Sequence, residues 1–445
     1  MDSHPRVTLT TAFVLGVLLT LGFKDFYPDL ERRFRRRKTR VSTIAAAGLQ
    51  DEDEHIDLED HTQKVPITEN EKRIPEGIES CVGNTPLFRI KSLSEATGCD
   101  ILAKAEFLNG GGGSPKDRVA LSIINTAEEQ SLLTPYSGDT IYEGTSGSTG
   151  ISLATLCRAR GYLAHIVLPS DTTPEKASLL ATLGAAVSLV PPAPIISPQH
   201  YVNWARSLAA AHTADPTRKG RGYFADQFEN PANWQAHRSG TGPEILAQCG
   251  KKVDVFVAGA GTGGTISGVG MYLKEKIPTV KVVVADPQGS GLYNWVNYGV
   301  LFDKMEKEGQ RRREQVDSIV EGIGMNRVTD NFRAGREVID DVVRVSDEQA
   351  LGMAKWLVER DGIFVGSSSA VNCESGAAMV ADRTSVLTGI GVAAVKIAKK
   401  MGKGKRIVTV LCDSGTKHVS KFWAKAGSVG GETKSKLEDI IGLDD

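Results

Sequence analysis

The stretch GGGGSPKDR, from Gly110 to Arg118, places a lysine, Lys116, shortly after a run of four glycines. Glycine lets the backbone turn tightly and approach a ligand closely. A lysine that opens a helix beneath such a turn can carry an aldehyde cofactor as a Schiff base. For this segment alone, the alternative is a loop before a helix with a surface lysine. Motifs further along the chain favour the first interpretation.

Short apolar runs alternate with helical stretches from about residue 65 onward, and several runs end directly in a glycine-rich turn. This alternation predicts an α/β fold whose strands are mostly parallel. Ligand sites in such folds lie beyond the carboxyl ends of the strands. The predicted strands are Ile101–Ala105, Thr140–Tyr142, Ala164–Leu168, Val187–Val190, Val253–Ala258, Val280–Ala285 and Arg406–Leu411.

Three further motifs follow predicted strands: EGTSGSTG at residues 143–150, GAGTGGT at 259–265 and CDSGTKH at 412–418. A turn of small residues before a helix exposes N–H groups and hydroxyls that can bind a carboxylate or a phosphate. The alternatives are a plain turn for the first, a dinucleotide-binding turn for the second, and a helix-capping serine, Ser414, for the third. The second motif has imperfect G-x-G-x-x-G spacing and lacks a Walker lysine, which argues against a nucleoside triphosphatase.

The overall composition excludes several classes of protein. The chain has 445 residues and a formal net charge of −1, so no charge bias points to a nucleic-acid partner. Its six cysteines include no C-x-x-C pair, so neither a metal site nor a disulfide framework is predicted. Unpaired thiols of this kind suit a reducing compartment.

The first 64 residues differ from the rest. Residues 7–23 carry no charge, and a basic block at residues 31–40 follows them. A helix of that length spans about 25 Å, slightly less than a bilayer core. Because the charge follows the apolar segment, we predict a membrane anchor in residues 1–30 rather than a cleaved signal or an import presequence. Residues 31–64 are predicted to form a charged flexible linker, the alternative being a partner-binding acidic segment.

In their order and content, these motifs resemble the pyridoxal-phosphate enzymes of the cysteine synthase and cystathionine β-synthase family. The resemblance covers about residues 75–425, and VGNTPL at 82–87, QFENPAN at 227–233 and EGIG at 321–324 support it. It implies the two-domain fold type II, similar to the tryptophan synthase β chain, in which each domain is a mostly parallel sheet flanked by helices. The implied regions are a catalytic region at 65–430, with a smaller mobile subdomain at about 107–230 and a larger one at 65–106 plus 231–430, and a tail at 431–445.

The resemblance also implies the roles of individual residues. Lys116 would hold pyridoxal 5′-phosphate and act as the catalytic base, Ser148 would approach the phenolic oxygen of the ring, and Ser414 would face the pyridine nitrogen. A serine at that nitrogen cannot keep it protonated as a carboxylate would, which favours prompt β-elimination. The residues implied for the phosphate are Gly261, Thr262, Gly263, Gly264 and Thr265. Those implied for the substrate carboxylate are Thr145, Ser146, Gly147, Thr149 and Gln227.

The implied reaction converts O-acetylserine and sulfide to L-cysteine and acetate. Cystathionine β-synthase and serine or threonine dehydratase activities stay open, as does a catalytically impaired membrane-tethered scaffold. The whole chain resembles fungal membrane-anchored cysteine synthase-like proteins of the mitochondrial outer membrane. That resemblance implies a catalytic region facing the cytosol, and the family implies a homodimer.

The sequence departs from the family pattern at several points. Ser148 stands where the family usually has asparagine, and the lysine segment has one more glycine than the commoner form. The 18 residues from Glu374 to Gly391 interrupt a stretch that is continuous in the family, and we predict that they loop out. Two other expectations concern charged or polar residues near the motifs. Asp117 and Arg118 should form local pairs at the helix start, and His237 and His418 should be polar surface or supporting residues rather than catalysts.

Overall fold

The computed structural model describes Ile74 and residues 76–303, 318–373 and 393–428. Two β-sheets organise these residues, as the family resemblance implied. The strands are β1 Leu87–Arg89, β2 Asp100–Ala105, β3 Thr140–Gly144, β4 Leu163–Pro169, β5 Ala186–Val190, β6 Gly222–Phe224, β7 Val255–Gly259, β8 Lys281–Pro287, β9 Asp341–Val345 and β10 Arg406–Leu411.

The larger sheet runs in the order β1-β2-β10-β7-β8-β9, and the smaller in the order β5-β4-β3-β6. In the larger sheet β1 pairs with β2 in antiparallel fashion, and the other neighbouring strands are parallel. The strands of the smaller sheet are parallel throughout. The prediction of mostly parallel strands is therefore confirmed within the described residues.

Helices cover the sheets and lie between the strands in sequence. They are α1 Lys91–Thr97, α2 Lys116–Glu129, α3 Ser148–Ala159, α4 Pro174–Thr182, α5 Tyr201–Ala214, α6 Ala232–Ala236, α7 Gly242–Gln248, α8 Gly264–Lys276, α9 Leu292–Tyr298, α10 Asp330–Ala334, α11 Asp347–Asp361, α12 Ser367–Cys373, α13 Ala393–Met401 and α14 Ala424–Ser428. Short 3-10 or π turns occupy Ile78–Cys81, Glu106–Leu108, His237–Thr241, Arg336–Val338, Gly415–His418 and Val419–Trp423.

The central strands are apolar because both of their faces are buried. In β7, Val255 and Val257 belong to one hydrophobic cluster, whereas Phe256 and Ala258 belong to the cluster on the opposite face. A strand covered on both sides reads as a continuous apolar run rather than an alternating one. This burial explains why the run from Val253 was recognisable in the sequence.

Strand order brings the candidate site together. The neighbours β2, β10 and β7 run parallel, so their carboxyl ends lie at one edge of the larger sheet. The chain leaves β2 toward the glycine run and Lys116, leaves β10 toward Ser414, and leaves β7 toward Gly261. Three motifs that are distant in sequence therefore meet at one edge, as parallel α/β sheets allow.

The seven predicted strands are confirmed, and their ends differ from the predicted ones by at most two residues. The strands β1, β6 and β9 were missed. The first two have only three residues, too few to show a periodic pattern, and β9 is an edge strand that is partly exposed. Tertiary hydrogen bonding, rather than a local signal, defines such short strands.

Several predictions fall on residues outside the described ranges: the anchor at 1–30, the linker at 31–64, the tail at 431–445 and the Glu374–Gly391 insertion. Within the described part of the chain, every helix is too short or too polar to cross a bilayer. The division into a smaller and a larger subdomain stays a prediction.

Candidate active site

Lys116 is the first residue of α2, directly after Pro115, which has helical backbone angles. Proline suits the start of a helix because its missing N–H would have no helical partner there. The carboxylate of Asp117 closes the glycine turn by accepting hydrogen bonds from the N–H groups of Gly112 (2.6 Å) and Gly113 (2.8 Å). The prediction that Asp117 forms local contacts at the helix start is confirmed.

A second lysine, Lys417, also binds this turn. Its Nζ donates to the carbonyl oxygen of Gly112 and, at 3.0 Å, to that of Gly113. Lys417 lies three residues after Ser414, so this contact ties the turn before Lys116 to the turn that carries Ser414. The extra glycine noted in the sequence thus lies in a backbone turn that supplies carbonyl acceptors to Lys417.

The electrostatic surroundings favour a reactive amine at Lys116. Burial lowers the pKa of Lys116 below its ordinary value, and the nearby Cys412 and Asp413 oppose this shift. Among the described residues, its Nζ has no hydrogen-bond partner, whereas the Nζ of Lys417 has two. Of these two lysines, Lys116 is therefore the one whose amine is available for covalent chemistry.

The turn between β7 and α8 is formed by residues 260–263. Gly263 has a φ of +86°, a left-handed conformation that favours glycine. A Cβ on Gly261 would lie 2.0 Å from the carbonyl oxygen of Gly322, so backbone contacts also require glycine there. The turn presents the N-terminal N–H groups of a 13-residue helix together with the hydroxyls of Thr262 and Thr265.

His237 contacts this turn through Thr265. Its Nε2 lies 3.1 Å from Oγ1 of Thr265, and its Nδ1 lies 3.0 Å from Oγ1 of Thr241. Burial lowers the pKa of His237 well below its ordinary value, and the neighbouring charge of Lys116 lowers it further. The expectation of a surface position is wrong, because the ring is fully buried, whereas the expectation of a supporting role fits a neutral imidazole that contacts Thr265 and Thr241.

Ser414 lies at the end of β10, where it caps the turn Gly415–His418. Its Oγ accepts a hydrogen bond from the N–H of Thr416 at 3.3 Å, so the capping alternative considered from the sequence describes a real contact. The neighbouring Asp413 carries the stronger interactions: its Oδ2 accepts from Oγ of Ser148 at 2.9 Å, and its Oδ1 from Nε2 of His418 at 3.2 Å. Ser148 therefore donates its single proton to Asp413.

His418 belongs to a charge network at this edge. Burial favours its neutral ring, but the carboxylates of Asp413 and Glu321 dominate and raise the pKa of His418 to about 9. Glu321 also forms ion pairs at 3.0 Å with Lys176, on α4, and with Lys421. His418 is thus a cation at neutral pH, and it links the β10 turn to the 318–325 segment.

The turn after β3 forms the second candidate anion site. Thr145 and Thr149 are buried, whereas Ser146 and Gly147 are exposed, and the N–H of Gly147 donates to Oγ1 of Thr145 at 3.2 Å. Gln227 joins this group because its Oε1 accepts from Oγ1 of Thr149 at 2.6 Å. A Cβ on Gly147 would meet no atom within 4 Å, so space for a ligand lies beside this turn.

Glu143 supports the candidate anion site after β3 through Gln227, and the sequence analysis assigned Glu143 no role. Its carboxylate accepts from Nε2 of Gln227 at 3.2 Å and from the backbone N–H of Gln227 at 3.3 Å. Burial, with the charge of Asp226, raises the pKa of Glu143 to about 8. The signal in the sequence was a carboxylate directly after the predicted strand Thr140–Tyr142, in a strand that the structure shows to be buried throughout.

Arg118 makes long-range contacts, so the expectation of a local pair is wrong. Its guanidinium lies 2.7 Å from Glu106 and 2.6 Å from Glu244, and Lys104 lies 2.7 Å from the same Glu244. The two cations and two carboxylates balance in charge, and all are largely buried. This cluster fixes the first turn of α2, two residues beyond Lys116, against β2 and α7.

The donor set fits a phosphate-bearing aldehyde. One helix N-terminus with two threonine hydroxyls can bind a phosphate dianion, and an amine with a lowered pKa lies near the histidine that contacts Thr265. Open space on the Cβ side of Gly322, next to Gly261, leaves room beside this turn. The structure brings Lys116, the 261–265 turn and the Ser414 turn to one edge of the larger sheet.

Comparison with known proteins decides the family. The sequence profile of the pyridoxal-phosphate dependent enzymes matches residues 78–385, which include Lys116 and the turns after β3 and β7. The chain belongs to this family. Membership makes pyridoxal phosphate the cofactor and confirms the cofactor prediction.

Several members of the pyridoxal-phosphate dependent enzymes are similar to the chain over most of its length. A protein of Emericella nidulans named cysteine synthase 2 is 60% identical over 451 residues, which cover 99% of both chains. A Saccharomyces cerevisiae protein described as a candidate mitochondrial cysteine synthase is 51% identical and covers 83% of this chain and 89% of its own. The crystal structure of O-ureido-L-serine synthase matches with a TM-score of 0.64 and 30% identity, covering 81% of this chain and 98% of that one.

Proposed function

We propose that the protein catalyses a pyridoxal-phosphate-dependent β-replacement in which O-acetylserine and sulfide give L-cysteine and acetate. The observation that carries this proposal is the position of Lys116 at the start of α2, directly after a glycine turn that Lys417 ties to the Ser414 turn by hydrogen bonds. Relatives named cysteine synthase at 51% and 60% identity support the choice of substrates.

Lys116 has two tasks in this proposal. Its Nζ would hold the aldehyde of the cofactor, and its amine would also take the proton from Cα of the substrate and later return it. The bound cofactor supplies an electron-withdrawing ring that makes this proton acidic. Burial favours the neutral base, because it lowers the pKa of Lys116.

The turn after β3 binds the substrate carboxylate in this scheme. Exposed Ser146 and Gly147 lie at the N-terminus of the 12-residue helix α3, where N–H groups favour an anion. Thr149 and Gln227 form the buried floor through their 2.6 Å hydrogen bond. Thr145 completes the set because it anchors Gly147.

Ser148 and Ser414 are proposed to face the ring. Ser414 would offer a neutral hydroxyl to the pyridine nitrogen and, unlike a carboxylate, would not keep that nitrogen protonated, which would favour loss of the β-substituent over transamination. Ser148 must first release Asp413 before its proton can reach the phenolic oxygen, since a hydroxyl has one proton to donate. The Asp413 contact therefore bears directly on the proposed role of Ser148.

The test is a substrate comparison on the purified residue 65–445 region, followed by absorbance and by product analysis. Addition of O-acetylserine alone should change the cofactor spectrum, and sulfide should then restore the spectrum and release L-cysteine. Cystathionine from serine plus homocysteine would indicate cystathionine β-synthase, and pyruvate or 2-oxobutyrate would indicate a dehydratase. Absence of any cofactor band would favour the scaffold alternative and overturn the proposal.

The N-terminal residues 1–30 are proposed to anchor the protein in the mitochondrial outer membrane, with the catalytic region in the cytosol as a homodimer. The uncharged residues 7–23, the basic block behind them and the mitochondrial designation of the yeast relative support this location. We expect the protein to resist extraction from mitochondrial membranes by carbonate. We also expect protease added to intact mitochondria to cleave the catalytic region. Protection from that protease would contradict the outward orientation, and sedimentation of the soluble region tests the dimer.

A further inference from the structure

The side chain of Asn233, at the start of α6, connects the two candidate anion sites. It is fully buried, and its Nδ2 donates to the backbone carbonyl of Gln227 at 2.6 Å and to Oγ1 of Thr262 at 2.9 Å. Gln227 belongs to the proposed substrate-carboxylate site and Thr262 to the proposed phosphate turn. One amide group therefore contacts both.

Chemistry fixes the orientation of this amide. The carbonyl oxygen of Gln227 can only accept a hydrogen bond, so the side chain of Asn233 must turn its NH₂ group toward it. The second proton of the same NH₂ group then points at Thr262. The Oδ1 of Asn233 has no hydrogen-bond partner among the described residues, which shows that the NH₂ contacts, and not the oxygen, determine its position.

The hydrogen bond from Asn233 determines that the hydroxyl of Thr262 can act as a donor to a further group. Because Oγ1 of Thr262 accepts from Asn233, its own proton is left to donate elsewhere. A phosphate dianion accepts hydrogen bonds and donates none, so it requires donors. We propose that Asn233 is a positioning residue that keeps Thr262 a donor toward the cofactor phosphate and holds Gln227 in place, which couples the phosphate site to the substrate-carboxylate site.

Asn331 provides a matched control in the same region. It is also fully buried, and its Nδ2 donates to the same Gln227 carbonyl at 3.0 Å and to that of Phe228 at 2.6 Å. No contact joins the Asn331 side chain to Thr262 among its described hydrogen bonds. Loss of Asn331 should therefore disturb the Gln227 segment without changing the phosphate turn directly.

The experiment measures binding to the apoprotein and rests on the proposed phosphate position. Pyridoxal phosphate and pyridoxal, which lacks the phosphate, are titrated into the wild type, Asn233→Ala, Asn233→Asp, Asn331→Ala, Thr262→Val and the Asn233→Ala/Thr262→Val double variant. Asn233→Ala should raise the Kd for pyridoxal phosphate about tenfold or more, the effect of one buried hydrogen bond, and leave the Kd for pyridoxal within about twofold. Asn233→Asp, which keeps the shape but cannot donate, should weaken phosphate binding at least as much.

Asn331→Ala should change the Kd for pyridoxal phosphate by less than about threefold, and Asn233→Ala should have a similarly small effect once Thr262 is valine.

Equal losses of affinity in both asparagine variants, or an undiminished Asn233 effect in the Thr262→Val background, would overturn the inference. If Thr262→Val itself leaves phosphate-dependent binding unchanged, the proposed phosphate position is wrong. Weaker binding with Thr262→Val but normal binding in both Asn233 variants would reject only the role of Asn233. Circular dichroism of each apoprotein checks that the variants are folded.

Discussion

The two candidate anion-binding turns use the same residue types but are packed in opposite ways. In the turn after β7, a Cβ on Gly261 would lie 2.0 Å from a backbone carbonyl oxygen, and one on Gly263 would lie 2.5 Å from Cα of Phe332. In the turn after β3, a Cβ on Gly147 would meet no atom within 4 Å. Glycine in the first turn is required by the protein's own packing, whereas in the second it leaves room for a ligand. The first turn suits a cofactor that stays bound, and the second a substrate that is exchanged in each cycle.

Removal of the amine that serves both turns should have the largest effect. Lys116→Ala is expected to lower β-replacement activity by about 10³-fold or more, because it removes both the proposed covalent attachment and the proposed base. Borohydride reduction of the wild type should attach the cofactor to the peptide that contains Lys116, as seen by mass spectrometry. Lys276→Ala, an exposed lysine on α8, is the control and should keep full activity. A cofactor adduct on another lysine would contradict the assignment.

Disruption of the buried ion-pair cluster of Lys104, Glu106, Arg118 and Glu244 should have the largest effect on stability. Arg118→Met leaves the carboxylates of Glu106 and Glu244 in a buried site without their main partner, which should cost about 3–5 kcal/mol of unfolding free energy. Urea unfolding of the apoprotein measures this change. Arg238→Met, at an exposed pair with Glu275, is the matched control and should cost less than about 1 kcal/mol. Similar losses in the two variants would show that the buried cluster has no special role in stability.

Alanine at the two glycines tests the comparison between the turns directly. Gly261→Ala should lower the unfolding free energy by about 3 kcal/mol and weaken cofactor binding, since its Cβ would overlap backbone that cannot move independently. Gly147→Ala should stay within about 0.5 kcal/mol of the wild type, because its Cβ meets open space. Its effect should instead be a higher KM for O-acetylserine. Comparable destabilisation by both substitutions would remove the distinction drawn above.

The smallest expected effect is the pH dependence contributed by His418. Burial alone would lower its pKa, but Asp413 and Glu321 raise the pKa to about 9. The stabilisation is therefore fully present below about pH 6.5 and is lost as the pH rises through 9. The difference in unfolding free energy between the wild type and His418→Gln should shrink by an amount on the order of 2 kcal/mol between pH 7 and 9.5.

His200 is the control for that titration. Burial lowers the pKa of His200 to about 4, with a further contribution from Arg327, so it stays neutral over the same pH range. His200→Gln should therefore change stability by the same amount at pH 7 and at pH 9.5. If the unfolding free energies of the wild type and of His418→Gln change in parallel with pH across this range, His418 is not charged in the folded protein.

The sequence alone determined the α/β class, seven of the ten described strands and the residues of the candidate site. These features are local, because a strand buried on both faces reads as an apolar run and a turn that faces a ligand reads as glycine, serine and threonine. The family resemblance then ordered the motifs, and comparison with known proteins confirmed the family and its cofactor.

Only the tertiary structure decided which residues support the site. Asp413 meets Ser148 across 265 positions in sequence, Arg118 meets Glu244 across 126, and Asn233 reaches Thr262 from a separate helix. Such partners are chosen by three-dimensional packing, in which a buried donor or charge must find its match wherever the chain happens to bring one. No periodicity or motif in the sequence encodes that proximity, so the network that positions Lys116 became visible only once the strands were assembled.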